Sequence, residues 1–343
     1  MKKVRFGKTE MMVSEIAFGA LPVQRVSIPE GVKTIRRAFE LGINFIDTAN
    51  SYTDSEEKIG LAIKGMPRDG LVIATKSAAS DKKTFMEHID LSLKRLGTDY
   101  IDIYQHHMIL NRGNYDAITG EGGAFEALTE AIRMGKVRFP GFSCHNISTA
   151  IEIIREGKFS VVQLPLNFVD DDAVKEALPL ARERDMGFIA MKPLGGGLLS
   201  DVKLAIKYFS QFEGVVPDPG IEKISEIEEI VSVVESGEKL SEEEALAIER
   251  IRAEMGSNWC HRCGYCMPCP QNIIVSGALT IESMIKRMPF EQVNSMGKLN
   301  MEYARNCTSC RLCVERCPYD LNVPELLKEK LAVWDSFLAK TAR

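Results

Sequence analysis

Apolar positions along the first 235 residues follow two alternating rhythms. Short runs rich in β-branched residues occupy 16–19, 44–47, 71–75, 100–107, 137–143, 161–164, 187–191 and 214–216. After each comes a stretch with apolar residues three and four apart, at 29–41, 54–64, 81–96, 123–134, 147–156, 171–185, 200–210 and 224–235. The first rhythm predicts buried strands, the second amphipathic helices. Local signals agree: Ser27 and Glu30 have capping-box spacing at the first helix, Gly42 can close it, and Gly157 can close the fifth. Eight βα units imply a parallel sheet, and eight strands suggest closure into a (β/α)8 TIM barrel. The structural rival is an open doubly wound sheet. That fold usually carries Gly-x-Gly-x-x-Gly after its first strand, and Gly19-Ala-Leu-Pro-Val-Gln does not fit it. Residues 4–16 read as a hairpin around Gly7-Lys8-Thr9, placed to plug the bottom of the barrel.

Past the eighth unit the pattern changes. Residues 222–254 are strongly acidic and helical, and the capping box Ser241…Glu244 starts a helix running to about Met255. The charge run reads as a solvated helix face. The expected division is a barrel over 1–250, a small helical, cysteine-bearing domain over 251–323, and a C-terminal helix over 324–343. In that last helix Leu326, Leu327, Leu331, Trp334 and Phe337 form a packing face. A length of 343 residues accommodates a barrel of about 250 plus a smaller unit. The net charge is −5, and no basic stripe interleaved with aromatics argues for nucleic acid. No apolar run approaches the roughly 18 residues of a membrane span. The opening Met1-Lys-Lys-Val-Arg-Phe-Gly lacks the apolar core of a signal peptide. A cytoplasmic protein without nucleic-acid or membrane partners is expected.

Cysteine usage is lopsided. Of nine cysteines, eight lie between 260 and 317, and Cys144 stands apart. A disulfide-stapled secreted chain would be small and spread them out, so crowding in a large chain favours metal. The first run is Cys260-x2-Cys263-x2-Cys266-x2-Cys269-Pro270, and the second is Cys307-x2-Cys310-x2-Cys313-x3-Cys317-Pro318. The second matches the bacterial ferredoxin run; the first is one residue short before its fourth Cys. Two-residue gaps let three thiolates wrap one [4Fe–4S] cluster, while a fourth Cys followed by Pro crosses to the other cluster. By that rule two [4Fe–4S] clusters form. One takes Cys260, Cys263, Cys266 and Cys317; the other takes Cys307, Cys310, Cys313 and Cys269. Structural zinc prefers ligand pairs separated by a spacer, so it fits poorly. The long stretch 270–306 between the runs is expected to hold a helical insert. The lone Cys144, at a strand end, reads as a buried inert thiol.

The barrel carries its own candidate chemistry. Residues 42–52, Gly-Ile-Asn-Phe-Ile-Asp-Thr-Ala-Asn-Ser-Tyr, put Asp47 at the end of the second strand and Tyr52 in the loop after it. The third strand ends at Lys76 and the fourth at His106-His107. All four side-chain types gather at the C-terminal mouth, where barrel enzymes do their chemistry. Here residues 4–235 resemble the aldo/keto reductases, whose tetrad of Asp, Tyr, Lys and His has this order and spacing. The resemblance assigns Tyr52 as proton donor, Lys76 and Asp47 as its tuners, and His107 rather than His106 as the group orienting a small-molecule carbonyl substrate. Chemically, a carbonyl accepting hydride needs a proton on oxygen. A phenol with pKa near about 10 becomes a better-matched acid–base group when an ammonium stands beside it.

The same resemblance implies a nicotinamide cofactor. Ser143 and Asn146 after the fifth strand and Gln163 on the sixth resemble contacts to the nicotinamide amide. Lys192-Pro193-Leu194-Gly195-Gly196-Gly197 resembles the pyrophosphate loop, and Gly220 precedes a helix N-terminus suited to phosphate. Two departures stand out. Met191 occupies the place of a Tyr that often stacks on the nicotinamide. Glu222 occupies the place of a basic residue that clamps the 2′-phosphate of NADP, with Lys223 next to it. NAD and NADP therefore both stay open.

The whole chain resembles the iron–sulfur-containing branch of the aldo/keto reductases, and oxidoreductase chemistry is expected. A reductase tetrad moves a hydride, which is two electrons, whereas a [4Fe–4S] cluster passes one. Three arrangements answer this mismatch. The clusters serve structure or regulation beside a carbonyl reductase; they exchange single electrons with a flavin or a redox partner protein at the barrel; or the barrel only docks such a partner. Tyr52, Lys76 and His107 argue against the third.

Overall fold

A computed structural model describes residues 1–256 and 258–341. Internal contacts divide the chain into two compact units. One comprises Met1–Gly195 with Leu199–Leu240; the other comprises Gly196–Leu198 with the residues from Ser241 onward. The acidic helix beginning at Ser241 thus groups with the second unit.

The first unit opens with an antiparallel hairpin, β1 (Lys3–Arg5) and β2 (Met12–Ser14). Eight strands follow, β3 (Phe18–Gly19), β4 (Phe45–Asp47), β5 (Val72–Ser77), β6 (Ile101–Ile109), β7 (Val137–Cys144), β8 (Val161–Pro165), β9 (Gly187–Met191) and β10 (Val215–Asp218). They pair in sequence order and in parallel. The last strand returns to the first: Ala17 N–H donates to Pro217 O and Gly19 N–H to Pro219 O, each at 2.9 Å, and Ile221 N–H to Gly19 O at 3.0 Å. The barrel expected from eight βα units is the fold observed.

Its helices are α1 (Ile28–Glu40), α2 (Ser55–Ile63), α3 (Lys82–Leu96), α4 (Arg112–Thr119), α5 (Ala124–Arg133), α6 (Ile147–Glu156), α7 (Ala177–Glu183), α8 (Val202–Lys207) and α9 (Ile224–Ser236). The capping box at Ser27 and Glu30 forms, and Gly42 and Gly157 take the left-handed conformations that end α1 and α6. Helix α4 falls in a stretch read from sequence as connection. Asn111 caps it, its Oδ1 accepting Asn114 N–H at 2.9 Å, and Tyr115 and Ile118 are its buried anchors.

Strand alternation stacks inward residues in layers. Phe45, Ile103, Val161 and Val216, from alternate strands, form an apolar layer with Ala74 and Ile189. The hairpin closes the floor beneath it. Phe6 is fully buried against Phe45 at 5.4 Å between ring centroids, and a Cβ on Gly187 would lie 2.4 Å from the Phe6 ring. Only glycine fits there.

The second unit contains α10 (Glu242–Met255), α11 (Val275–Leu279), α12 (Ile281–Arg287), α13 (Phe290–Arg305), α14 (Leu312–Glu315) and α15 (Val323–Thr341). The insert expected over 270–306 is α11 to α13. A small core of Ile273, Val275, Leu279, Val293, Met301, Leu326 and Trp334 joins these helices to α15. Gly297 lets α13 lie against Trp334, since a Cβ there would stand 2.9 Å from Ile281 Cδ1 and 3.3 Å from the indole. No helix among the described residues is long and apolar enough to cross a membrane.

Candidate functional site

Directly above the apolar layer, the same four strands carry polar residues: Asp47 on β4, Gln105 on β6, Gln163 on β8 and Asp218 on β10. Each stands two residues beyond its apolar counterpart, so pleating turns it to the same face. These strands are not neighbours, and their side chains meet only in the lumen. Gln105 Nε2 donates to Asp47 Oδ1 at 3.3 Å, and Gln163 Nε2 donates to Asp47 Oδ2 and to Asp218 Oδ2, both at 3.2 Å. Lys76, two residues past Ala74 on β5, adds an ion pair from Nζ to Asp47 Oδ2 at 2.5 Å. Asp47, Lys76, Gln105 and Gln163 are each no more than 3% exposed.

Tyr52 sits above this layer on the β4–α2 loop. The loop is held by backbone bonds, Thr48 N–H to Ala74 O and Asn50 N–H to Lys76 O. Ser55 Oγ ties its far end to Ala20 O at 3.0 Å. The buried Lys58 donates to Val23 O, Val26 O and Asp54 Oδ1 at 2.7–3.0 Å, fastening the β3–α1 loop to it. Lys76 Nζ lies 5.8 Å from the Tyr52 ring centroid, and the Tyr52 and His107 rings meet edge to face at 5.9 Å. Asp47, Tyr52, Lys76 and His107 therefore converge.

Of the two adjacent histidines, His107 turns into the mouth and His106 turns out. His106 is buried between barrel and helices, stacked on Phe85 at 4.5 Å with Phe125 and Phe159 around it. Burial pushes its pKa down to about 3. His107 is also pushed down to about 3, by burial first and by the positive charge of Lys76 second, so its imidazole is neutral.

The residues expected to hold a cofactor fall in several places. Ser143 faces the lumen, its Oγ accepting Met108 N–H at 2.8 Å. Asn146 caps α6, its Oδ1 accepting Thr149 N–H at 2.9 Å. Lys192 follows β9 with φ +60°, its Nζ 3.0 Å from His145 Nε2 and its carbonyl accepting Gly195 N–H. Pro193 and Leu194 make that turn, and Gly195 and Gly196 continue it at φ +59° and +72°. Gly196 groups with the second unit, where its carbonyl accepts Ser283 Oγ at 2.9 Å. Gly220 pairs with Gly19 at the barrel seam. Just beyond, Glu222 N–H and Lys223 N–H both donate to Glu226 Oε2, at 2.9 and 3.1 Å, and the Glu222 carboxylate lies 3.6 Å from Arg25 Nε. The α9 N-terminus is thus capped by its own carboxylate.

Sequence reading missed Gln105, Asp218 and Glu226. The parity of inward positions on alternate strands would have found the first two once the strand ends were placed. Cys144 is fully buried, donating to Ile109 O and Asn146 O at 3.0 and 3.1 Å, and burial pushes its thiol up to about 12. Its burial is as expected.

In the second unit, Cys260, Cys263, Cys266 and Cys317 line one cavity with Val275, Leu279, Leu321 and Val323. His261 and Tyr319 stack at its wall, 3.7 Å between centroids. Burial pushes the Cys260 thiol up, with Cys263 and Cys317 as its thiol neighbours. Burial likewise pushes Cys266 up to about 12, and its neighbours are Cys260, Cys263 and Cys313. Cys313, raised by burial, has Cys307, Cys310 and Cys269 around it. None of the eight is in a disulfide, and Cys310 is exposed.

Residues 15–213 match the profile of the Aldo/keto reductase family. The chain belongs to the aldo/keto reductase family. It is therefore an oxidoreductase, and residues 259–322 match a 4Fe-4S dicluster domain. Two curated relatives illustrate the family. The L-galactose dehydrogenase of Arabidopsis thaliana is 32% identical over 213 residues, 57% of this chain and 66% of that protein. The NADH-specific methylglyoxal reductase of Escherichia coli is 28% identical over 229 residues, 58% of this chain and 69% of that protein. The chain thus spans about two thirds of the length of these aldo/keto reductases. Among solved structures, the apo form of aldo-keto reductase AKR11C1 from Bacillus halodurans superposes with TM-score 0.62 at 26% identity, covering 73% of this chain and 96% of that one.

Proposed function

We propose that the barrel interconverts a small-molecule aldehyde or ketone and its alcohol with a nicotinamide cofactor. The observation that carries this reading is the buried Asp47–Lys76 pair at 2.5 Å with the Tyr52 ring 5.8 Å from Lys76 Nζ. When bound, the nicotinamide supplies or accepts the hydride. Tyr52 gives the proton at the carbonyl oxygen, or takes it back in the reverse direction. Lys76⁺ favours the phenolate form that this exchange passes through, and Asp47 keeps Lys76 charged and in place. Gln105 and Gln163 fix Asp47 in turn. His107, neutral across about pH 5–8, hydrogen-bonds the carbonyl oxygen without competing for the proton.

A nicotinamide fits the residues present. Gln163 commits its Nε2 to two carboxylates, which fixes the amide's orientation and leaves Oε1 buried without a hydrogen-bond partner. Such an acceptor suits the carboxamide N–H of the ring. NAD is favoured over NADP. The seat for a 2′-phosphate holds the carboxylates of Glu222 and Glu226, which repel phosphate, while a carboxylate can accept a ribose hydroxyl.

The second unit is read as holding two [4Fe–4S] clusters, one on Cys260, Cys263, Cys266 and Cys317, the other on Cys307, Cys310, Cys313 and Cys269. The four sulfurs around one cavity and the thiol neighbours of Cys313 support this crossed partition. Exposed Cys310 favours exchange of single electrons with an external redox partner over a purely structural role.

Anaerobic titration of the cluster-loaded protein with NADH and NADPH, with and without an aldehyde mixture, tests both parts. Aldehyde-dependent NADH oxidation is expected, and Tyr52→Phe should lower it about 10²-fold or more with iron content unchanged. Undiminished activity in Tyr52→Phe removes Tyr52 from the chemistry. Bleaching of the clusters by NADH alone would instead show that electrons pass between the two sites.

A further inference from the structure

The turn that the family resemblance assigns to the cofactor's pyrophosphate, Lys192–Gly197, does not group with one unit alone. Gly195 and Leu199 belong to the first unit, whereas Gly196–Leu198 between them belong to the second. The ends of the turn are fixed by the barrel chain. Asn167 Nδ2 donates to Lys192 O at 3.1 Å, Gly195 N–H to the same carbonyl at 2.8 Å, and Leu199 N–H to Leu194 O at 3.2 Å. Between these ends Gly195, Gly196 and Gly197 run at φ +59°, +72° and +85°. Three consecutive glycines have the most backbone freedom to lose, so an ordered loop of this kind calls for an outside tether.

That tether is α12. Ser283 Oγ donates to Gly196 O at 2.9 Å, and the approach is so close that a Cβ on Gly196 would run into the same hydroxyl. Arg287, one turn further along α12, would have its Nη1 3.7 Å from that Cβ. Its positive charge suits a loop expected to hold a diphosphate. Ile281 of α12 lies in the core of the second unit, and Met284 and Ile285 pack against it. Glu282 pairs with Lys330 of α15 at 2.9 Å. Cysteines of both runs, among them Cys260, Cys266, Cys307 and Cys317, border the same core. The packing that surrounds the cysteine sites therefore also seats α12, and α12 seats the loop.

We propose that Ser283 is a positioning residue for the dinucleotide cofactor, and that the second unit thereby controls cofactor binding at the barrel. A second unit loosened by loss of iron releases the loop. The dinucleotide must then order the three glycines as it binds, which lowers its affinity. By reciprocity, bound dinucleotide steadies the second unit by the same factor. Ser283 itself touches neither the ring nor the substrate in this scheme. The inference rests on the nicotinamide reading above, and its test separates the two.

The test measures the dissociation constant of NADH, or of NADPH if that is the form bound, by calorimetry on the cluster-loaded full chain under anaerobic conditions. Wild type and Ser283→Ala are compared at equal iron content. Loss of the tether should weaken binding about three- to tenfold. Unchanged affinity in a folded, iron-loaded variant overturns the proposal and leaves the nicotinamide reading standing. If the variant fails to fold or to load iron, the wild type decides through its thermal transition, followed at the visible cluster band with and without the nucleotide. A midpoint raised by nucleotide supports the proposal, and an unmoved midpoint at saturating nucleotide overturns it. Binding of neither nucleotide by the wild type overturns the nicotinamide reading, and this inference with it.

Discussion

The barrel mouth and the thiol sites bring functional groups together in opposite ways. At the mouth, β4, β5, β6, β8 and β10 all contribute polar side chains, and residues as far apart as Asp47 and Gln163 touch. The contacts exist because the strands close on themselves over an apolar layer that needs no cofactor. In the second unit most of the eight cysteines arrive three residues apart on two short stretches of chain, and the supporting core is small. There burial holds the thiols in their neutral form, and each would have to lose its proton to bind a metal. One site is preorganised by its fold, and the other is expected to be completed by what it binds.

Removing iron should break this comparison most severely if it is wrong. Chelation of the loaded protein under oxidising conditions is expected to abolish the melting transition of the second unit while the barrel transition persists. Circular dichroism read alongside iron content checks this, and a single shared transition lost on iron removal would mean that the barrel too depends on the clusters. A smaller and opposite effect is expected at the barrel floor. Phe6→Ala leaves a cavity under the apolar layer and should cost about 3–5 kcal/mol in the barrel transition, with cluster absorbance unchanged. Denaturant melts with two probes separate the units.

The mildest test uses pH. His106 has its folded pKa lowered to about 3, whereas an unfolded histidine titrates near about 6.5. Below the unfolded value the unfolded chain binds a proton that the native barrel does not. Stability therefore falls as pH drops from about 6.5 toward 3, by about 2 kcal/mol at pH 5 from this residue. His106→Leu should flatten that slope in the barrel transition and leave any acid response of the second unit as it was. A slope unaltered by the substitution would show that His106 is not buried neutral.

Much of this was legible in the chain. Eight strand runs alternating with helical periods were enough for the barrel, because a buried parallel strand has to be apolar and its helix has to be amphipathic. The hairpin plug, the Ser27 and Ser241 caps and the helical insert followed from local chemistry that does not depend on distant contacts. Helix α4 was passed over because its apolar anchors, Tyr115 and Ile118, are too few to set a period. The eighth strand was placed at 214–216, whereas β10 runs Val215–Asp218, and that offset hid Asp218. Asn146 caps α6 through its Oδ1, a duty the sequence did not reveal because an Asn after a strand can serve a ligand, a helix N-terminus or both.

By itself the sequence determined the fold class, the two cysteine runs of a 4Fe-4S dicluster domain, and the placing of Asp47, Tyr52, Lys76 and His107 on or just after barrel strands. Each of these depends on local spacing, which periodicity and motif preserve. Tertiary structure alone decided that His106 turns into an aromatic cage while His107 turns inward, and that one amide of Gln163 joins Asp47 to Asp218. The grouping of Cys317 with the first cysteine run, expected from the crossover rule, is matched by the cavity they share. The histidine and glutamine contacts depend on which residues face each other after closure, and closure joins positions more than a hundred residues apart that no local pattern relates.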